Sequence, residues 1–234
     1  IINFRSPRRL EEYLGKSVIV RHRYGPYFLV RANTSNLFHV ALEEDYELRT
    51  WFLPLAKGIV VDVGAYIGKY TVFACKKEEV ERVIAIEPLP SNFLSLMANV
   101  KLNDCYNKVV LVNSAVSRSK GYAEMCIPIG GVSQLGLETA HIIKRSTKCK
   151  LKYVVVTNTL DDITEGLERI DFLKIDIEGH VMEALPGMMN ALSKTKYLFI
   201  ELLGRDVKAG SVFMQLGFRL KDRHGNNFLF VKNS

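Results

Sequence analysis

The sequence predicts an α/β fold, a mostly parallel sheet closed by a C-terminal antiparallel hairpin and preceded by a small annex. Three observations lead there. From Gly58 onward, short apolar runs alternate with segments of helical period. A glycine turn, VVDVGAYIGKY at 60–70, joins the first such run to the first such helix. The last segment, FRLKDRHGNNFLFVK, reads as two strands around His224-Gly225-Asn226.

The annex takes residues 1–54. SVIVRHRYGPYFLVR, 17–31, reads as a hairpin turning at Gly25-Pro26. Residues 36–41 add another short strand, and EEDYELRTWFLPLA, from Glu43, reads as a helix ended near Pro54.

Residues 55–234 carry the alternation. GIVVDVG is a buried strand and GKYTVFACKKE its helix; VERVIAIE is the second strand. SNFLSLMANVKLN is a helix capped by Ser91, with Phe93, Met97 and Val100 at helical spacing. KVVLVNSAV is the third strand, YVVVTNTL a peripheral one and DFLKIDIE the fourth of the main series. HVMEALPGMMNAL is a helix broken near Pro186-Gly187; KYLFIELL is the fifth strand and SVFMQLG a short helix. Such alternation implies a parallel sheet covered on both faces. Its ligands lie beyond the carboxyl ends of the strands.

A length of 234 residues suits one sizeable domain with an annex, and 48% apolar with 24% charged residues is ordinary for a globular protein. No apolar run is long enough to span a bilayer. The opening IINFRSPRRLEE lacks the apolar core of a secretory signal, and the chain starts on Ile1 rather than Met, which leaves room for residues upstream. Cys75, Cys105, Cys126 and Cys149 contain no C-x-x-C pair, which argues against a zinc site. With no secretory signal they read as reduced thiols of a cytoplasmic protein, the alternative being that they pair in a hyperthermophile. The formal charge of +7 gathers at Arg5, Arg8, Arg9, Lys16, Arg21, Arg23 and Arg31, and again at Lys144, Arg145, Lys148, Lys150 and Lys152. These groups are either solvated faces or a track for RNA or an acidic substrate.

The glycine turn has the wrong spacing for a pyrophosphate, because Tyr66 stands where G-x-G-x-x-G needs its middle glycine. Gly68-Lys69-Tyr70 likewise lacks the hydroxyl of a P-loop. Asp62, at the end of a buried strand, would repel phosphate and attract an ammonium or a hydroxyl. It fits a nucleoside carrying an amino acid, such as S-adenosylmethionine, or else a structural cap of the turn. Glu87, with Pro88 after it, ends the second strand at the offset, ~20 residues, where an acid bonds ribose hydroxyls. Asn113, Ser114 and Ala115, ending the third strand, could reach an adenine edge.

Together VVDVGAYIGKYT, AIEPLPSNF, TLDDI at 159–163, DFLKIDIEGHVMEALPG at 171–187 and YLFIEL at 197–202 resemble the FkbM family of S-adenosylmethionine-dependent methyltransferases. The resemblance covers about residues 55–234. It implies a Rossmann-like, seven-stranded class I methyltransferase sheet and methyl transfer, usually to a hydroxyl oxygen. By motif, Asp62, Gly64, Ala65 and Gly68 line the methionine side, Glu87 holds the ribose, and Ser114 and Ala115 sit near the adenine. The family often has Asn where Tyr66 stands, so the phenol would alter the methionine contacts or shape the substrate mouth.

Asp176 and Glu178 lie two apart at the fourth strand's end, so an extended chain faces them to one side, and Gly179 lets the chain turn away. Asp176 is expected near the methyl and the acceptor hydroxyl, with Glu178 as support or base and His180 as a third candidate. Alternatively, Asp176 only orients the cofactor and Glu178 caps the next helix. Asp176, Glu178 and Glu201 could also present oxygens to Mg²⁺, which the resemblance does not demand. The stretch 128–150 reads as a loop over the site, with Ser133, Gln134 and His141 as substrate contacts, or as plain surface. Three functions compete: a small-molecule or glycan O-methyltransferase, an RNA methyltransferase using the basic N-terminus with Tyr24, Tyr27 and Phe28, and a cofactor-binding protein without transferase activity.

Overall fold

The structure is a computed structural model that describes residues 15–32, 34–41, 45–128, 141–142 and 149–232. Arg5, Arg8, Arg9, Ser133, Gln134, Lys144, Arg145 and Lys148 lie outside the described residues, as do the side chains of His141 and Lys150.

The annex begins with an antiparallel hairpin, β1 (Val18–Arg21) and β2 (Tyr27–Val30), which turns through Gly25-Pro26 as expected. Residues 36–41, read from the sequence as a strand, are a helix, Asn36–Ala41. The apolar pair that is buried, Leu37 and Val40, is three apart and so shares a helical face. Helix follows again at Asp45–Glu47, widens into a π-turn at Leu48–Phe52 and ends with Leu53–Leu55. Pro54 cannot donate to the turn before it, and the helix ends one residue later at Leu55.

Three parallel strands come next, β3 (Gly58–Val63), β4 (Val80–Ile86) and β5 (Val109–Val112), joined by helices Lys69–Cys75 and Pro90–Leu102. The chain then leaves for a second sheet of four strands, β6 (Ala115–Val116), β7 (Gly121–Pro128), β8 (His141–Ile142) and β9 (Cys149–Asn158), ordered β6-β9-β7-β8. The peripheral strand is β9, and the expected third strand is divided between β5 and β6. The chain returns through β10 (Ile170–Ile175), β11 (Thr195–Glu201) and the closing hairpin β12 (Phe218–His224) and β13 (Asn227–Lys232). The main sheet reads β12-β13-β11-β10-β3-β4-β5, seven strands, with β13 antiparallel to both its neighbours.

β3 and β10 lie side by side at the centre and read GIVVDV and IDFLKI, nearly unbroken apolar runs because both faces are covered. One face sends Val61, Val63, Leu173, Ile175, Leu198 and Ile200 against the helices of the C-terminal half. The other sends Val60, Phe172 and Phe199 against Phe28, Val40, Leu48, Trp51 and Phe52 of the annex. Trp51 packs edge-on to Phe199, 5.4 Å between centroids, while its Nε1 donates to Asp222 of the closing hairpin at 2.8 Å.

Two further expectations are corrected. Helix Pro90–Leu102 starts after Leu89, so Ser91 lies inside its first turn and caps nothing. Its buried face carries Asn92, Ser95, Leu96, Asn99 and Val100, whereas Met97 is 44% exposed. The polarity has a cause: this face meets the open edge of β2, whose backbone needs partners. Asn99 Oδ1 accepts from Leu29 N, and Asn103 both accepts from Tyr27 N at 2.9 Å and donates to Tyr27 O at 2.7 Å. The cysteines are not free thiols: Cys75 bonds to Cys105 and Cys126 to Cys149, with Cα atoms 5.7 and 5.4 Å apart. Each pair is distant in sequence but close through topology. Cys75 ends one helix and Cys105 follows the end of its neighbour by three residues, while Cys126 and Cys149 sit on the paired strands β7 and β9, where Cys149 stands opposite Pro128.

Among the described residues no helix is long and apolar enough to cross a membrane.

Candidate functional site

The site lies where the chain reverses direction across the sheet, beyond the carboxyl ends of β3, β4 and β10. Gly64, just past β3, has φ +76, and a Cβ there would fall 1.8 Å from the carbonyl oxygen of Asp176. The two central strand ends therefore touch, tied by Asp176 N donating to Val63 O at 2.9 Å. Gly68, φ +90, precedes helix Lys69–Cys75, and a Cβ there would strike Leu96.

The loop between these glycines does not present a phosphate cradle. The N–H groups of Gly64 and Ala65 both donate to Ile86 O at 2.9 Å, that of Gly68 to Ala65 O, and that of Tyr66 to Glu87 Oε2 at 2.9 Å. Tyr66 is left-handed, φ 53, a conformation an Asn adopts at less cost than a phenol. The annex holds it: Asn36 Nδ2 donates to the phenol oxygen, and the His39 ring meets the Tyr66 ring edge-on at 4.7 Å.

Glu87 is 5% exposed. Its Oε1 accepts from Leu89 N at 3.0 Å and Asn92 Nδ2 at 3.3 Å, and Oε2 accepts from Tyr66 N. Burial outweighs these bonds and pushes the carboxyl up to about 7. A carboxylate offers about four lone pairs, so Oε2 keeps room for one more donor. Arg31 of the annex reaches the same network, donating to Asn36 Oδ1 and, through its second arm, to Asn92 Oδ1 at 2.8 Å. Nothing in the sequence marked Arg31, Asn36 or Asn92 as part of this site, because the links run across three separate elements.

Asp62, 1% exposed, accepts from Thr71 Oγ1 at 2.7 Å through Oδ2; its Oδ1 has no hydrogen-bond partner among the described residues. Burial raises its pKa, opposed chiefly by Lys174. Lys174, 3% exposed, sits opposite Asp62 in the β10–β3 register and pairs with Asp176 Oδ2 at 3.3 Å. Its ammonium lies 5.0 Å from the Tyr70 ring centroid and 5.8 Å from that of Phe199. Sequence reasoning missed Lys174, although one lysine in the run DFLKI is a visible signal.

Asn113 Nδ2 donates to the carbonyls of Glu87, 2.8 Å, and Pro88, 3.1 Å, so its amide ties the second and third strand ends together. Ser114 is 3% exposed, and its hydroxyl has no partner among the described residues. Ala115, also buried, opens β6.

The fourth strand end departs from expectation. β10 stops at Ile175, and Glu178 and Gly179 are both left-handed, φ 50 and 75. Strand alternation therefore does not align Glu178 with Asp176; a tight turn separates them. His180 follows, its Nε2 3.3 Å from Ser117 Oγ, which links this turn to the chain after β6. Asp206 fixes the next helix by accepting from Val181 N and Met182 N, each at 3.2 Å. Asp176, Glu178 and Glu201 do not form a metal site: among the described residues no three His, Cys, Asp or Glu gather in a way that could hold an ion.

Residues 62–226 match the family model described as Methyltransferase FkbM domain. Two curated relatives are Methyltransferase sdnD of Sordaria araneosa and Hexuronic acid methyltransferase AglP of Haloferax volcanii. The first is 29% identical over 154 residues, 55% of this chain and 60% of the relative. The second is 28% identical over 149 residues, 62% of this chain and 55% of the relative. Among solved structures, methyltransferase FkbM from Methylobacillus flagellatus KT aligns with TM-score 0.53 at 19% identity, over 75% of this chain and 44% of that one. The chain thus spans little more than half the length of these curated relatives, while the family model runs from Asp62 in the first strand to the turn of the closing hairpin. By that match, and with the seven-stranded sheet it describes, this chain belongs to the FkbM methyltransferase family.

Proposed function

We propose that the chain is an S-adenosylmethionine-dependent O-methyltransferase acting on a hydroxyl of a sugar, a glycan or another small molecule. The observation that carries this is that two buried polar atoms at nearby strand ends, Asp62 Oδ1 and Ser114 Oγ, have no partner among the described residues and flank a carboxylate, Glu87, with room for one more donor. A nucleoside with an amino-acid tail supplies donors and acceptors at both ends and ribose hydroxyls between. Asp62 would face the methionine side with Gly64, Ala65, Tyr66 and Gly68. Glu87, backed by Pro88 and Asn113, would accept a ribose hydroxyl, and Ser114 and Ala115 would border the adenine.

S-adenosylmethionine, when bound, supplies an electrophilic methyl on a sulfonium. The residues of this chain have to orient the acceptor hydroxyl and take its proton. Asp176, held by Lys174 and by its backbone bond to Val63, would do both. Glu178 and His180, on the turn that follows, would hold the acceptor. The hexuronic acid named for the relative AglP makes acidic sugars a first acceptor class to test.

The RNA reading loses support from the hairpin. Arg31 is engaged with Asn36 and Asn92, Arg23 with Asp45, and Arg21 with Gly25 O. The cytoplasmic expectation rested on the missing secretory signal and took the thiols as reduced; two disulfides favour a compartment that keeps them oxidised, or a hyperthermophilic cell. The test is transfer of labelled methyl from S-adenosylmethionine to a panel of uronic acids, neutral sugars and RNA. The proposal expects product with a sugar hydroxyl and its loss in Asp176→Asn at normal cofactor affinity. Product with RNA alone, or full turnover in Asp176→Asn, contradicts it.

A further inference from the structure

A second cavity, of about 450 Å³, opens at the other end of the sheet. Its walls are the hairpin turn, with Tyr24 and Tyr27, and the ends of helices Lys69–Cys75 and Pro90–Leu102, with Phe73, Lys76, Lys77 and Asp104. Both helices start beside the crevice described above and end here. At ~1.5 Å per residue the longer one sets the two sites about 20 Å apart. The volume is of the size that small-molecule sites have, ~300–1,000 Å³.

The cavity is built rather than incidental. Its floor is tied by the Cys75–Cys105 disulfide, adjacent in sequence to Lys76 and Asp104. Its hairpin wall is held by the two-way bond between Asn103 and the Tyr27 backbone. His22 sits buried behind the turn, its ring 5.0 Å from Phe73 and 5.1 Å from Tyr24, and burial beside Lys69 and Arg23 lowers its pKa to about 4. A neutral imidazole therefore backs an aromatic wall.

The lining itself is net positive, two lysines against one aspartate. Lys76 Nζ donates one bond to Asn103 O at 3.4 Å, and Lys77 Nζ one to Leu53 O; an ammonium has three N–H groups, so each keeps capacity for a ligand. Arg21 lies 5.8 Å from the Tyr27 ring centroid and Arg23 5.1 Å from that of Tyr24. Among the lining residues Lys76 and Lys77 face one acid, Asp104; outside the lining, Glu78 and Glu79 follow Lys77 in the chain, and Asp45 is paired with Arg23 and Arg49.

We infer that this cavity is a second ligand site, for a planar ring that carries an anionic group, of which a nucleoside monophosphate is the simplest form. The ring stacks on Tyr24, and the anion meets Lys76 and Lys77. The same chemistry is offered by a free nucleotide and by the end of a single strand of RNA, and the experiment separates the two.

The experiment is calorimetric titration of the whole chain with AMP, GMP, CMP and UMP, with adenosine and inorganic phosphate as partial ligands. A tetranucleotide is run at two salt concentrations, and every titration is repeated in saturating S-adenosylmethionine. The site predicts that at least one monophosphate binds in the presence of S-adenosylmethionine, about 10-fold or more above adenosine or phosphate alone. Tyr24→Ala weakens it ~5-fold to 100-fold, the range for loss of one stacking partner, and Lys76→Gln weakens it as well. Both side chains are on the surface, and neither touches the cofactor crevice, so affinity for S-adenosylmethionine stays as in the wild type. A tetranucleotide that binds more tightly than every monophosphate, with steep salt dependence and the same loss in Tyr24→Ala, supports the site and assigns it to a strand end. No binding of any of these at millimolar concentration overturns the inference. So does binding that both substitutions leave intact, or that S-adenosylmethionine displaces. None of these results bears on whether the crevice transfers methyl groups.

Discussion

Glu87 concentrates the chemistry of the crevice in one side chain. Its carboxyl sits near 7 because burial outweighs three accepted hydrogen bonds. A ribose hydroxyl donating to it favours the ionised form, so ligand binding and deprotonation go together. Affinity for S-adenosylmethionine is predicted to rise between pH 6 and 8, and the rise to flatten in Glu87→Gln, measured by titration at each pH. Folding follows the opposite sense. The folded pKa lies above the unfolded 4.5, so the folded state holds the extra proton between those values and stability falls as pH climbs from 4.5 towards 7. Denaturation midpoints at pH 5 and 7.5 check this, with Glu87→Gln predicted to lose that part of the slope. Lys174 answers a different need. It lies between two carboxyls, Asp62 and Asp176, and removing a buried partner of this kind costs ~3–5 kcal/mol. Lys174→Met is predicted to lower stability by that amount in chemical denaturation, whereas loss of an exposed pair such as Lys152–Glu124 changes it by under ~1 kcal/mol. That Asp62, Glu87 and Ser114 lie at or beside strand ends was legible from sequence, because strand ends and glycine turns have fixed offsets. Arg31, Asn36 and Asn92 were not, since their roles depend on how the annex docks.

Strand and helix order in the main sheet was legible for the same reason that the strands are buried: unbroken apolar runs such as GIVVDV can lie only inside a covered sheet. Short elements on the periphery were harder. NLFHVA has an apolar content that suits either state, and packing of Leu37 and Val40 made it a helix. Helix Pro90–Leu102 packs Phe93, Leu96 and Val100 into a core as periodicity predicts, but the polar side chains beside them defied it because they serve β2's backbone. Asn103→Ala is accordingly predicted to cost more than a surface change, about 1–3 kcal/mol, since it strands a donor and an acceptor of Tyr27 together. Thermal unfolding of the variant measures it. The disulfides escaped sequence reasoning because 30 and 23 residues of separation give no hint of contact. Loops of that size are stabilised by roughly 3–4 kcal/mol on closure. Thiol titration of the unfolded, unreduced chain is predicted to find no reactive cysteine from these pairs, and Cys75→Ser with Cys105→Ser to unfold at lower denaturant.

The whole molecule is organised around one sheet with a different task on each face. The C-terminal helices cover one face with a plain apolar core. The annex covers the other, and through Arg31, Asn36 and His39 it also grips Tyr66 of the glycine loop and Asn92 of helix Pro90–Leu102. Tyr66, which looked from sequence like an obstruction, is thereby an anchor for the annex. Tyr66→Asn is predicted to keep the loop's left-handed turn, which Asn tolerates, while loosening the annex, seen as faster hydrogen exchange at 36–41. The central claim is that the ends of β3, β4 and β10 form one cofactor site with Glu87 at its middle. It is tested most directly by calorimetric titration of S-adenosylmethionine into the wild type and Glu87→Ala at pH 7.5. The account predicts a single site in the wild type and affinity ~10-fold to 100-fold lower in the variant, the worth of hydrogen bonds to a charged group. Equal affinity in the two proteins, or no binding heat in the wild type, would contradict it.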